Sequence, residues 1–508
     1  MDILTLLANG FATAFTPVNL FYCFVGVTVG TFIGVLPGVG AMLGIALLLP
    51  VTFYLPPETA IIMLAGIYYG GEYGGAITSI LVNVPGSTSS AITTLDGYRM
   101  AKQGRAAVAL FASAAASFIG GSIGIILMTV FSPAISRFAL SLNSADYFAI
   151  MVLGLVAGAL VARGSLVKGL IAVVIGTLFG MIGTDLSTGV QRYAFGVPEL
   201  IGGLSVAVVA MALFGLPEII TATAEPKTDL SRFSLRLRDM MPTREDFRRS
   251  IVPAGRGSAL GSILGILPGT GATIASFLSY TAEKRLSRTP ERFGHGAIEG
   301  VVGPEAANNA AAQTSFIPTL AIGIPGTPTM ALMLGALIIQ GIQPGPDMMT
   351  LHADLFWALI ASFWIGNVML LILNIPLVGL WAKLANIPYR FLFPSIICLI
   401  AVGVYSSTLN TFDVYVVLAI GLFGFGMAIT GFEAAPFLMG FILGPMMEEN
   451  LRRAMQLGRG DPAVFFSRPV SLICLTIVLT ALFIPAVRIL RRRFARLPGL
   501  RNGRPGFR

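Results

Sequence analysis

The chain has 508 residues, 55% of them hydrophobic and 11% charged, with a net charge of +9. A soluble protein carries about 25% charged residues, so a soluble fold is excluded and an all-α polytopic membrane protein is expected. The basic residues fall in loops and in the tail, which reads as membrane topology rather than nucleic-acid binding. Three cysteines, Cys23, Cys398 and Cys474, lie far apart without a CxxC pair, and two histidines, His295 and His352, are too few for a histidine-rich metal site. No cofactor is expected.

Along the chain, "MDILTLLANGF" lacks a basic n-region, so the first segment is expected to stay rather than be cleaved. The next apolar stretch is broken by "GVLPGVGA" (34–41). Glu72 stands in "YYGGEYGGA", and "NVPGSTSSA" (83–91) follows. Ordinary bundle helices are predicted at 107–131, 146–162, 165–183 and 198–221. A basic interior stretch at 223–256 carries Lys227, Arg232, Arg236, Arg238, Arg244, Arg248 and Arg249. It reads as a cytoplasmic linker, part of it an amphipathic helix on the membrane. "GILPGTGA" (265–272), the polar "GPEAANNAAAQTS" (303–315) and "GIPGTPTMA" (323–331) come next. Further segments are predicted at 352–380, 389–405, 412–446 and 468–490. From Arg488 to Arg508 there are eight arginines and no acid, which places the C-terminus in the cytoplasm. The expected division is a first membrane repeat at 1–222, a linker at 223–256, a second repeat at 257–490 and a tail at 491–508.

The two halves are related. "GTFIGVLPGVGA" (30–41) and "GSILGILPGTGA" (261–272) share seven of twelve residues at an offset of 231, and Pro85 and Pro325 are offset by 240. Loop charges are crossed between the copies. "PVTFYLPPET" (50–59) has no Lys or Arg, whereas 281–296 has Lys284, Arg285, Arg288 and Arg292. Conversely 96–105 has Arg99, Lys102 and Arg105, whereas 341–355 has none. Equivalent loops on opposite sides of the membrane signify an inverted-topology repeat, common in secondary transporters. About 12 spans are expected, some broken or re-entrant.

A broken helix bares backbone: new N-termini favour anions, and unwound carbonyls favour cations. Gly38, Gly40, Gly269 and Gly271 are the predicted backbone contacts, the alternative being a plain kink with close helix packing. Pro85, Gly86, Ser87, Thr88 and Ser89 in the first copy, and Pro325, Gly326, Thr327 and Thr329 in the second, form turns whose hydroxyls and N–H groups suit a carboxylate; Ser90 adds a further hydroxyl. The alternative is hydroxyls bonded back to their own helix. On a helix, Glu305, Asn308 and Asn309 share one face. Polar side chains inside a membrane need partners or a ligand, the alternative for this stretch being a helix cap or a cytoplasmic loop end. Asn309 is therefore assigned to the substrate, and Asn83, Glu305 and Asn308 to a coupling ion. Glu72 is a second intramembrane acid, either a cation or proton site or an interface residue. The sequence has neither GxxxxGK[ST] nor HExxH, so ATP hydrolysis by a phosphate loop and zinc-dependent proteolysis are not expected.

"GVLPGVGA", "YGGAITSILVNVPGSTSSAITTLDGY", "PEAANNAAAQTSFIPTLAIGIPGTPTMALMLGAL" and "IQGIQPGP" together resemble the large membrane subunit of the tripartite tricarboxylate transporters, the TctA family. The resemblance runs from about residue 15 to 490. It implies a bacterial cytoplasmic-membrane secondary transporter that imports an organic carboxylate on a sodium or proton gradient. It also implies two partners: a small membrane subunit of about four helices and a periplasmic solute-binding protein. Its characteristic residues fall on Gly38, Gly40, Pro85, Gly86, Pro304, Glu305, Asn308, Asn309, Pro325 and Gly326. An ion-coupled antiporter or channel built on the same repeats is the alternative, and a membrane enzyme would have to place its chemistry in 303–315.

Overall fold

The computed structural model describes residues 3–36, 40–161, 165–185, 187–222, 237–267, 271–384 and 389–494. Helices dominate it. In the first half they are α1 (Ile3–Ala14), α2 (Pro17–Val35), α3 (Gly40–Leu48), α4 (Pro57–Val82), α5 (Thr94–Met100), α6 (Ala106–Ala139), α7 (Ser144–Val161), α8 (Leu166–Gly180) and α9 (Val206–Ala222). Next come α10 (Arg244–Ile266), α11 (Gly271–Leu286), α12 (Glu299–Thr314), α13 (Phe316–Ala321), α14 (Pro328–Ile339) and α15 (Ala353–Asn374). Then follow α16 (Val378–Leu384), α17 (Tyr389–Thr408), α18 (Thr411–Ile429), α19 (Ala434–Leu457) and α20 (Pro469–Phe494). Among the described residues the only strands are β1 (Gly183–Thr184) and β2 (Gln191–Arg192), paired antiparallel with Gly183 opposite Arg192.

The helix starts follow local chemistry. Proline occupies the first turn of α2, α4 and α14, where its missing N–H costs nothing. Thr243 and Asp246 close a reciprocal capping box on α10. Four helical stretches are long and apolar enough to cross a membrane: Pro17–Val35, Thr94–Ala139, Ala353–Asn374 and Thr411–Ile429. Eight shorter apolar helices accompany them among the described residues. The predicted run 412–446 is two helices, not one. α18 ends at Ile429 and α19 begins at Ala434, and Gly431 turns the chain between them with φ +74°. The segment predicted at 198–221 opens with a single 3-10 turn at Pro198–Leu200 and becomes α-helical only at Val206. The boundary expected at 257 falls inside α10. The linker residues 223–236 and the tail residues 495–508 lie outside the described residues.

Burial separates an inner set of helices from an outer one. Every residue of α4 from Thr59 to Leu81, and every residue of α12, is buried, as befits helices enclosed on all sides. α17, α18 and α20 instead turn Leu399, Val402, Leu418, Leu422 and Leu479 outward, a surface that suits lipid chains.

Glycine sets the closeness of the inner packing. α2 packs on α4 through Gly26, Gly30 and Gly34; a Cβ at each would lie 2.3–2.4 Å from the carbonyl oxygens of Met63, Ile67 and Gly71. α10 packs on α12 through Gly257, Gly261 and Gly265, 231 residues further on in each case. There a Cβ would fall 2.1–2.5 Å from the carbonyls of Gly303, Ala307 and Ala311. Only glycine allows backbones to approach so closely.

Candidate functional site

The described residues on either side of the two LPG motifs take matching conformations. Leu36 and Leu267 are extended at the ends of α2 and α10 (φ −79°, ψ 117° and φ −81°, ψ 127°). Gly40 and Gly271 open α3 and α11 with φ +67° and +56°, a backbone state that side chains disfavour. Gly38 and Gly269 lie outside the described residues.

The breaks flank a cavity of about 650 Å³. Thr88 of the first PG turn, Gly271, Ala272 and Thr273 at the start of α11, and Gly326, Thr327, Pro328 and Thr329 of the second PG turn all line it. Met42, Tyr68 and Glu72 of the first half, and Phe214, Pro217 and the 431–436 turn, complete the wall. The halves touch across it: Thr88 Oγ1 and Thr273 Oγ1 are 2.9 Å apart. α11 and α14 both start at this wall. First-turn N–H groups lack partners within their own helix, so these two starts carry the positive ends of helix dipoles. Thr327 caps α14, its Oγ1 accepting from Met330 N at 3.1 Å.

A second polar layer lies behind the first turn. α4 ends in the left-handed residue Asn83, and the chain folds back so tightly that a Cβ on Gly86 would sit 2.0 Å from the Gly34 carbonyl. The returning hydroxyls bond one another: Ser87 Oγ to Ser89 Oγ at 2.8 Å, Ser87 Oγ to Ser90 Oγ at 3.1 Å, and Ser79 Oγ donating to Ser90 Oγ at 3.0 Å. Ser89 donates to the carboxylate of Glu72. On α12, Glu305 accepts from Thr93 Oγ1 at 2.5 Å and from Asn308 Nδ2 at 3.2 Å. Asn309 Nδ2 donates to the Glu305 carbonyl at 3.1 Å and to Asn308 Oδ1 at 2.5 Å. Glu72 and Glu305 are both buried, and among the described residues neither has a basic partner. A buried carboxylate without a counter-charge calls for a proton or a cation.

The structure therefore groups the predicted residues by depth. Thr88, Gly271, Gly326, Thr327 and Thr329 face the cavity, and so does Glu72. Ser89, Glu305, Asn308 and Asn309 lie in the packed layer behind it. Pro85 and Gly86 shape the turn against α2, and Pro325 stands one residue before the cavity-lining Gly326. Asn83 is exposed at the end of α4 and does not line the cavity.

Sequence reading missed Thr273, one turn past the second LPG break, and Thr93, three residues past the first serine cluster. It also missed Asp96. This buried carboxylate accepts three backbone N–H bonds of 2.8 Å, from Gly294, Gly296 and Ala297, and a fourth from Tyr280 Oη at 2.8 Å. Asp96 ties α5 to the loop before α12.

These features define a multi-pass helical membrane protein with a polar site in its interior. The chain belongs to the tripartite tricarboxylate transporter TctA family, whose sequence profile matches residues 20–439. That is a transporter family, not an enzyme family, and its tripartite systems imply partner subunits. The chain is 50% identical over 491 residues to an uncharacterised 52.8 kDa protein in the TAR-I ttuC′ 3′ region of Agrobacterium vitis, covering 96% of this chain and 98% of that one. It is 56% identical over 231 residues to a protein in the TAR-II ttuC′ 3′ region of the same organism, covering 45% of this chain and 96% of that one. No solved structure matches it.

Proposed function

We propose that the chain is the large transmembrane subunit of a secondary transporter that imports an organic carboxylate, tricarboxylate or related, down a sodium or proton gradient. The observation that carries this reading is the convergence of both halves on one cavity. It receives two helix N-termini, four threonines, Thr88, Thr273, Thr327 and Thr329, and two acids, Glu72 and Glu433. An anion with two or more carboxylates fits the two N-termini at α11 and α14. The coupling cation or proton belongs at Glu72, on the cavity wall. Glu305, Asn308 and Asn309 form a supporting layer joined to the first half through Thr93.

On this reading the halves are inverted repeats in the bacterial cytoplasmic membrane, with the C-terminus in the cytoplasm. The crossed loop charges, the matched breaks and the matched glycine stripes support it. The partners are a small membrane subunit of about four helices and a periplasmic solute-binding protein that delivers the carboxylate. The test is reconstitution of all three components in vesicles. Binding-protein-dependent uptake that collapses with the ion gradient is expected. Uptake driven by ATP without a gradient, or sustained ion current without any organic solute, overturns the proposal.

A further inference from the structure

A second cleft of about 850 Å³ lies at the charged ends of α10 and α11, and it shares no lining residue with the threonine-lined cavity. Five arginines and three glutamates line it. Two of the arginines are committed: Arg256 grips Glu283 with two bonds, and Arg249 binds Glu245 at 2.8 Å and Glu299 at 3.1 Å. The other three, Arg244, Arg248 and Arg288, have no acidic partner among the described residues. Three unpaired guanidiniums converging on one cleft form an anion site.

An exposed apolar strip of α10 runs on from Val252, which lines the same cleft. Arg248, Val252, Gly255, Ala259 and Ile263 recur at three- and four-residue spacing, so they form one face of α10. All five are exposed. A Cβ at Gly255 would meet nothing within 4 Å, so no other part of the described chain covers the strip at that point. Arg248 and the apolar strip lie on one face of α10, charge at one end and apolar surface beyond it, as the head and tail of a lipid are.

We propose that this cleft binds an anionic phospholipid of the surrounding bilayer, its phosphate between Arg244, Arg248 and Arg288 and an acyl chain along Val252, Gly255, Ala259 and Ile263. The site stands apart from the transport cavity and does not depend on the transport reading.

The full-length protein, delipidated and offered phosphatidylglycerol and phosphatidylcholine, is assayed by native mass spectrometry for retained lipid. Wild type is expected to retain phosphatidylglycerol selectively. Arg244→Gln/Arg248→Gln/Arg288→Gln weakens that binding about a hundredfold at low salt, since each basic residue near an anionic surface is worth about a factor of five. The triple lysine variant keeps the charge and stays within about tenfold of wild type. Gly255→Trp leaves every arginine in place but sets a bulky ring across the exposed strip, and loses phosphatidylglycerol as well. Should the triple glutamine variant not fold, Gly255→Trp alone decides. Unchanged phosphatidylglycerol retention in either variant overturns the proposal. So does displacement by millimolar inorganic phosphate with Gly255→Trp neutral, which would mark a site for free anions. Cross-linking of residues 223–236 across the cleft in the presence of lipid also overturns it.

Discussion

The two PG turns begin from similar words and end in different structures. In the first, Ser87, Ser89 and Ser90 bond one another and Glu72, and only Thr88 reaches the cavity. In the second, Thr327 caps α14, and Gly326, Thr327 and Thr329 all face the cavity. One copy is a knot of hydroxyls around a carboxylate; the other is an open helix start. The helix pairs beneath them, α2 on α4 and α10 on α12, are nearly interchangeable in backbone contact. Helix pairs alike in backbone contact thus stand beneath unlike chemistry: acid and hydroxyls at the first turn, dipole and N–H groups at the second. On the proposed function, the first turn serves the cation and the second the carboxylate.

The scaffold half of that comparison carries the largest expected effect. Gly30→Leu and Gly261→Leu should each destabilise the protein by at least about 3 kcal/mol, since overpacking against backbone has no rotamer to relieve it. Thermal unfolding in detergent measures both; tolerance of one and not the other would show that the stripes are not equivalent. Next come the acids. Glu72→Gln preserves shape and removes charge, and should abolish gradient dependence of uptake, whereas Glu305→Gln should slow uptake about tenfold while leaving it gradient-dependent. Uptake assays at varied sodium and pH read both, and the reverse order would exchange the roles assigned to the two layers. A smaller effect belongs to the threonines. Thr327→Val should raise the half-saturating carboxylate concentration about fivefold, the worth of about one hydrogen bond, and Thr88→Val should change it less. Equal effects would erase the distinction between the turns.

The smallest effect lies outside both copies, in the loop that carries β1 and β2. The Thr188 hydroxyl and the Ser187 N–H bond Asp185, Arg192 and Arg452 pair with it, and together they lower its pKa from 3.8 to about 2. A carboxylate lowered on folding stabilises the protein above its unfolded value and ceases to do so as pH falls through its folded one. Wild type should therefore lose a small increment of melting temperature between about pH 4 and pH 2, and Asp185→Asn should not.

Much of this was legible in the residues, for reasons that differ by element. "GVLPGVGA" and "GILPGTGA" announce breaks because glycine and proline act locally, and both breaks are present at Leu36 and Leu267. The polar run 303–315 reads as buried because it is set in an apolar half, and α12 is buried throughout. Hydropathy alone fused α18 and α19, since a turn at Gly431 interrupts helix without interrupting apolarity. Thr273 and Thr93 were illegible because their importance comes from contacts 185 and 212 residues away along the chain. The glycine stripes were partly visible, Gly30 and Gly34 standing inside the aligned words. A search for four-residue glycine spacing would have added Gly26 and Gly257.

The stripes also bear on redesign. A contact made of two backbones stores no alternative arrangement; it either holds or parts. The position of Gly86 against Gly34, and with it the serine knot, is registered to tenths of an ångström by atoms that no substitution can trim. Altered ligand preference is therefore to be sought in the threonines that face the cavity. The glycines beneath them act as a jig, silent in recognition and unforgiving of change.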